Sequence, residues 1–262
     1  MEGDYLPMGE AQVWPMDRGF LFGDGIYEVI PSYYGKLVGV GPHMERMRAG
    51  LEAIEISPGI DDEGWRNIAM QLISRNGGGN LSLYFHVSRG ADTRRDHAYP
   101  IGITPTVYAF AFEIPAAPVA DKALAKSFRV STAEDMRWKR CNIKSTALLG
   151  NVMHYQKGHA SGCDETVLYN AAGEITEAAA CNVFIVKDGT VATPLLDDQK
   201  LPGITRQMLL AILRKDGTIP VEERIVTLSE LQQADEGWLT SSSKEIVPVI
   251  DMDGKPVADG AI

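Results

Sequence analysis

The chain has 262 residues, 45% of them hydrophobic and 23% charged, the proportions of an ordinary water-soluble globular protein. Its formal net charge is −10, and no basic block interleaved with aromatics occurs, which argues against a nucleic-acid partner. No apolar run approaches the ~20 residues of a membrane helix. The first ten residues carry Glu2, Asp4 and Glu10 and no basic residue, unlike a signal or transit peptide. Cys141, Cys163 and Cys181 form no CxxC pair, which suggests reduced thiols and a cytoplasmic protein. His154 and His159 do not share a helix face, and no metal-ligand spacing occurs.

Residues 1–15 read as an initial strand and loop. A glycine-punctuated loop, Asp17 to Gly25, then feeds a strand through Tyr27 and Val29. Tyr33-Tyr34-Gly35-Lys36 reads as a hairpin turn. Pro42 and His43 open a helix through Met44, Met47, Leu51 and Ile54, with Arg46 and Arg48 on its first turns. A second helix is predicted from Asp61, its cap, to Arg75, stopped by Gly77-Gly78-Gly79. Leu81 to Ser88 alternates as a half-buried strand. A polar loop with Arg94, Arg95 and His97 follows, then a strand over Val107 to Ile114. Pro115-Ala116-Ala117-Pro118 breaks both helix and strand and marks a domain boundary. The domains are therefore expected at 1–115 and 120–262, and the mixture of strands, hairpins and helices argues α+β.

The second half opens with a strand near Phe128 to Ser131. Arg137 to Ser145 is irregular, and a helix is expected from about Ser145 to His159, with Leu148, Leu149, Val152 and Met153 at helical spacing. Lys144 thus falls where an irregular segment becomes a helix, flanked by no acids. Loss of solvent there would lower its pKa and free a nucleophilic amine, although the position equally suits a solvated lysine. Strands follow at Glu165 to Tyr169, Asn182 to Val186, Thr190 to Thr193 and Val247 to Ile250. Gly203-Ile204-Thr205 opens an amphipathic helix whose free N–H groups and dipole suit a phosphate. Another strand ends in the hydroxyls of Thr240, Ser241, Ser242 and Ser243.

These stretches, in this order, resemble the pyridoxal-phosphate enzymes of fold type IV, most closely the D-amino acid aminotransferases. They are Asp17-Arg18-Gly19-Phe20 with Phe22 to Val29, Arg95-Asp96-His97, Ile143-Lys144-Ser145, Thr176-Glu177 with Asn182-Val183-Phe184, Gly203 to Arg206, and Thr240-Ser241-Ser242. The resemblance implies a two-domain α+β fold with pyridoxal 5′-phosphate as cofactor, carried as a Schiff base by Lys144 in the larger C-terminal domain. It assigns Glu177 to the pyridine nitrogen. Arg46, Gly203, Ile204, Thr205, Ser241 and Ser242 fall to the phosphate, and Arg95 and His97, completed by Tyr27, to the substrate carboxylate. In such relatives the carboxylate loop is lent across a dimer interface, which implies a homodimer acting on small amino acids and 2-oxo acids. The implied reaction is transamination between a D-amino acid such as D-alanine or D-glutamate and a 2-oxo acid. The alternatives within the fold type are (R)-amine or branched-chain L-amino acid transamination, against which Arg95 and His97 argue, and 4-amino-4-deoxychorismate lysis; a non-catalytic cofactor carrier is a further reading. Relatives usually continue past the last strand with another helix, whereas this chain stops at Ile262, soon after Val257-Ala258-Asp259-Gly260.

Overall fold

The structure is a computed structural model that describes residues 3–119, 121 and 124–257. It divides into two compact units. The first comprises Met1–Ala117 and Ile143–Leu148, the second Pro118–Asn142 and Leu149–Ile262. Each is built on its own sheet.

In the first unit, Asp17 caps a short helix α1 (Arg18–Phe22) by accepting the Gly19 N–H at 2.8 Å, and Gly23, at φ 67°, closes it in the left-handed region. The sequence reading took this stretch for loop, since five residues are too few to show a period. The expected strand within 1–15 is absent among the described residues, where a 3-10 turn at Met8–Glu10 is found instead. Strand β1 (Gly25–Tyr33) turns through Tyr34 and Gly35, at φ 51° and 76°, into β2 (Lys36–Leu37). Two positive φ values in succession make the right-twisted hairpin turn. Helices α2 (Val40–Ala53) and α3 (Asp62–Arg75, capped by Asp61) precede β3 (Leu81–Ser88) and β4 (Thr106–Glu113). The sheet runs β2-β1-β3-β4, antiparallel throughout.

Alternation along β1 and β3 decides the two faces. Ile26, Ile30, Leu83 and Phe85 pack under Met44, Met47 and Leu51 of α2 and Trp65 and Ile73 of α3. The opposite face carries Tyr27, Tyr84, His86, Tyr108 and Phe110 in a set of ring contacts, from Tyr27 to Tyr84 (5.6 Å) and on to Phe110 (5.0 Å). The Ile143–Leu148 segment belongs to this unit because its backbone pairs with the start of β1: Tyr27 N donates to Lys144 O (3.0 Å) and Thr146 N to Gly25 O (2.9 Å). The sequence reading placed Lys144 in the 120–262 domain at a helix start. Here it lies in irregular chain that packs with the first unit, and the helix begins later, at Leu149.

The second unit contributes β5 (Phe128–Glu134), α4 (Leu149–Ala160), β6 (Glu165–Tyr169), β7 (Ile175–Ala178), β8 (Asn182–Lys187), β9 (Thr190–Pro194), α5 (Ile204–Asp216), β10 (Val221–Arg224), α6 (Leu228–Gln232), β11 (Glu236–Ser241), β12 (Glu245–Met252) and β13 (Lys255–Pro256). Its sheet runs β10-β9-β8-β11-β12-β5-β6-β7, with β13 on β12. Val130, Val167, Ile175, Val183, Ile185, Leu239 and Val247 fill the core. Phe184 and Val191 pack on Leu209 and Leu210 of α5. The apolar residues of α4, however, do not face this core: Leu149, Val152 and Met153 are exposed. Its buried positions are His154 and Gly158, and a Cβ on Gly158 would strike Thr166 and Ser131, so the helix backbone lies close against β5 and β6. Among the described residues, no helix is long and apolar enough to cross a membrane.

A buried ion cluster fastens α2 to β1. Glu28 lies on the core face of β1 with its side chain fully buried, and accepts from Arg46 Nε (2.7 Å) and Nη2 (2.8 Å); His43 Nδ1 is 2.7 Å away. Burial pushes the Glu28 carboxyl up, but the Arg46 charge and the hydrogen bonds from Arg46 and His43 outweigh it and hold the carboxyl at about 2, against an ordinary 4.5. A carboxyl depressed on folding stabilises the fold above its unfolded pKa, and that contribution is lost as pH falls through the folded value. Glu28 should therefore contribute about 3 kcal/mol that fades as pH falls from about 4.5 toward 2. Calorimetric melting across this window should show a flatter acid limb for Glu28→Gln, with a loss at neutral pH of roughly 3–5 kcal/mol from stranding Arg46. A variant whose stability falls with acid as steeply as the wild type would assign the titration to another group.

Candidate active site

Lys144 is held by backbone contacts to the start of β1. Its carbonyl takes the Tyr27 N–H, and Ser145 bridges Ile26. A Cβ on Gly23 would press on the Ala147 backbone at 2.9 Å, so the turn before β1 approaches this segment as only glycine allows. These contacts aim the lysine along β1. Its Nζ donates to Tyr27 Oη at 3.1 Å and lies 4.2 Å from the centroid of the same ring. Tyr27 alternates with Glu28, so the lysine and the Glu28 cluster lie on opposite faces of one strand. His43 is nevertheless close enough for the Lys144 charge to help hold its pKa down, after burial as the main cause.

Arg46 belongs to the Glu28 cluster, which it reaches from α2 with Nε and Nη2 committed to Glu28. Arg95 and His97 lie in an exposed loop after β3. Both approach the Phe22 ring of α1, Arg95 at 5.0 Å and His97 at 5.3 Å. The structure thus brings together, within the first unit, Lys144 with Tyr27 and Arg95 with His97.

The second unit assembles a different set. Glu177, in β7, is buried and accepts from Arg137 Nη1 (2.6 Å), Leu201 N (2.9 Å) and Asn182 Nδ2 (3.3 Å). Burial pushes its pKa up, and Arg137 is the principal opposing influence. Arg137 is in turn gripped by Asp135 through Nε (3.0 Å) and Nη2 (2.8 Å), and Thr176 Oγ1 donates to Asp135 (2.7 Å). Arg137 and Asp135 have no role in the sequence reading, and Asn182 enters it only as part of a motif. Arg137 stands in the basic run Arg137-Trp138-Lys139-Arg140, read from sequence only as irregular chain, yet its side chain is 3% exposed. Its burial joins Asp135, two residues before it, to Glu177, forty residues on, and sequence spacing does not carry the second contact.

Asn182 connects Glu177 to the helix start. Its Nδ2 also donates to Leu201 O (2.9 Å), and a Cβ on Gly203 would collide with its Oδ1. Helix α5 begins at Ile204 with no side chain capping it, which leaves the first N–H groups of Ile204 and Thr205 to an outside acceptor. Thr240 is the cross-strand partner of Asn182, and directly opposed residues share a face. Its hydroxyl is buried and has no hydrogen-bond partner. Ser241 follows at the end of β11, accepting from Lys244 N at 3.2 Å, and Ser242 comes next in the turn. A buried orphan hydroxyl, an uncapped helix start and a buried acid within one cluster fit a group that carries both a phosphate and a basic nitrogen.

The model of the family "Amino-transferase class IV" matches residues 25–251. A D-alanine aminotransferase of Listeria monocytogenes serotype 4b is 37% identical over 253 residues, covering 96% of this chain and 86% of the relative. The branched-chain amino acid aminotransferase of Escherichia coli superposes with a TM-score of 0.89 at 23% identity, over 99% of this chain and 87% of that one. A T.th. branched-chain amino acid aminotransferase, solved with N-(5′-phosphopyridoxyl)-L-glutamate, does so at 0.89 and 22%, over 99% of this chain and 86% of that one. At such identities the structural likeness speaks for the fold, which is the α+β fold that the sequence motifs imply. With the family model spanning most of the chain and an identity above a third, this chain belongs to the class IV aminotransferases, a family of pyridoxal-phosphate-dependent enzymes.

Proposed function

We propose that the chain moves an amino group between a D-amino acid, with D-alanine and D-glutamate as the leading donors, and a 2-oxo acid. The observation that carries this reading is the 37% identity to a D-alanine aminotransferase along nearly the whole chain. Residue roles follow from chemistry. Pyridoxal phosphate, when bound, supplies an electron sink for the bonding pair of the substrate Cα–H. Lys144 Nζ would anchor the cofactor covalently and, when free, would serve as the base for the Cα proton. Tyr27 Oη accepts from that nitrogen at 3.1 Å and so fixes its direction. Glu177 would hold the pyridine nitrogen, kept in place by Arg137 and Asn182. Gly203, Ile204 and Thr205 would give main-chain N–H groups to the phosphate, Ser241 and Ser242 hydroxyls, and Arg46 charge.

Arg95 and His97 would seat the substrate carboxylate, with Tyr27. That seat separates the reading from an (R)-amine or branched-chain L-amino acid transaminase and from a lyase of the same fold. We also propose a homodimer: Leu149, Val152 and Met153 leave an apolar stripe on α4 that a second copy would cover. Three free cysteines suit a reducing compartment such as the cytoplasm.

Three outcomes test this. Steady-state kinetics should show a preference for D-alanine over L-alanine, and Arg95→Ala should lose on the order of 10–100-fold in kcat/KM for D-alanine, the scale of one charge-assisted contact. A preference for L-alanine, or unchanged kinetics in that variant, overturns the D-amino acid reading. Borohydride reduction with peptide mapping should place the cofactor label on Lys144, and Lys144→Ala should lose it while retaining some phosphate-anchored cofactor; a label on another lysine refutes the anchor. Glu177→Gln should bind cofactor yet turn over at least about 100-fold more slowly, since an amide cannot stabilise a protonated pyridine nitrogen. Near wild-type turnover would assign that nitrogen another partner.

A further inference from the structure

The loop that carries Arg95 and His97 is exposed and is tied within itself only by short-range bonds, such as Ala98 N to Asp96 Oδ1 (3.2 Å). Such a loop would ordinarily sample many conformations. Here one buried side chain reaches into it. Arg18 of α1, with its side chain 4% exposed, donates Nη1 to the Asp96 carbonyl (2.5 Å) and Nη2 to the His97 carbonyl (3.3 Å). Among the described residues, these are the hydrogen bonds that join 94–97 to chain outside the loop. They grip the peptide units between and after the two side chains of the carboxylate seat.

Arg18 is itself fixed. Its Nε donates to Asp24 Oδ2 (2.8 Å), and its guanidinium lies 4.8 Å from the Phe22 centroid, the ring that Arg95 and His97 also approach. Asp24 is shared with Arg89, which donates Nε (2.8 Å) and Nη2 (3.0 Å) to it. Arg89 also binds the Ile54 carbonyl (2.6 Å) and stacks on Tyr99, 3.5 Å from its centroid, at the far end of the same loop. Asp24 stands between Gly23 and Gly25, the two glycines that meet the Lys144 segment. The loop and the lysine are thus referred to one turn.

Resting on the assignment of Arg95 and His97 to the carboxylate, we infer that Arg18 is a positioning residue for substrate binding: it sets the carboxylate seat by holding the main chain of the loop. It touches no substrate atom, so its effect runs through Arg95 and His97. A seat held within a few tenths of an ångström contributes affinity that a wandering loop gives up as ordering entropy.

The test uses the holoenzyme with Arg18→Ala, Arg95→Ala and the double variant, with Arg18→Lys in reserve should Arg18→Ala not fold. Lysine keeps the charge beside Asp24 but cannot bridge two carbonyls. Arg18→Ala should raise KM for D-alanine roughly 10–100-fold with kcat changed by less than about threefold. In the Arg95→Ala background the same change should add less than about threefold, because the two act in series. A readout independent of turnover is trypsin cleavage after Arg94 and Arg95: it should speed up about tenfold or more in Arg18→Ala, since cleavage tracks the open population of the loop. Independent, multiplying KM effects, or an unchanged cleavage rate, would overturn the inference. If Arg95→Ala itself leaves KM for D-alanine unchanged, the carboxylate reading falls and the inference with it. If Arg95→Ala raises KM and Arg18→Ala does not, the inference alone falls.

Discussion

The arrangement of the first unit rests on a short stretch of backbone pairing. Residues 143–148 lie along the start of β1, with the Lys144 carbonyl on the Tyr27 N–H and the Gly25 carbonyl on the Thr146 N–H. Main-chain bonds fix a register as side-chain contacts cannot, because a slip of one residue would turn Lys144 to the other face. With the register set, the lysine amine meets the Tyr27 hydroxyl, and the glycine at 23 becomes necessary for the close approach.

Three acids that organise the two units are each matched by a guanidinium. Glu28 has Arg46, Asp24 has Arg18 and Arg89, and Glu177 has Arg137, itself held by Asp135. Such pairs add little net stability relative to apolar packing, but removing one partner is costly, so they specify geometry. The planar fork of arginine makes two parallel bonds at once, and that lets these side chains orient what they touch: an acid in β7, a helix on β1, a loop after β3.

Much of this was legible in the residues. The alternation of Leu81 to Ser88, the Asp61 cap, the Tyr34-Gly35 turn and the helix after Gly203 each carry a local physical signal, and each forms as read. Helix α4 misled because Leu149, Val152 and Met153 have the spacing of a core stripe but are exposed, while Gly158, which has no side chain, makes the close contact. Strand β10 and helix α6 went unread; the one is four residues with three charges, the other five residues announced only by a Thr227–Glu230 capping box. Arg18, Asp24 and Asn182 enter the sequence reading only inside motifs, and Arg89 and Arg137 without a role, for one reason. Their importance lies in long-range partners, and a lone polar or charged residue in a sequence carries no mark of whether it is buried. The closing residues, 258–262, lie outside those described.

The membership of 143–148 in the first unit has a consequence for how the chain acquires its structure. That unit is not a contiguous piece of sequence: 25 residues of the second unit, 118–142, come between its two parts. On a ribosome, the first 117 residues emerge with the start of β1 still lacking its last partner, and that partner arrives only when residue 148 has been made. Closing a loop this long costs entropy that only the finished contacts return. Completion of the first unit therefore waits on synthesis of part of the second, and cutting the chain at Pro118 would separate the lysine from the strand that aims it.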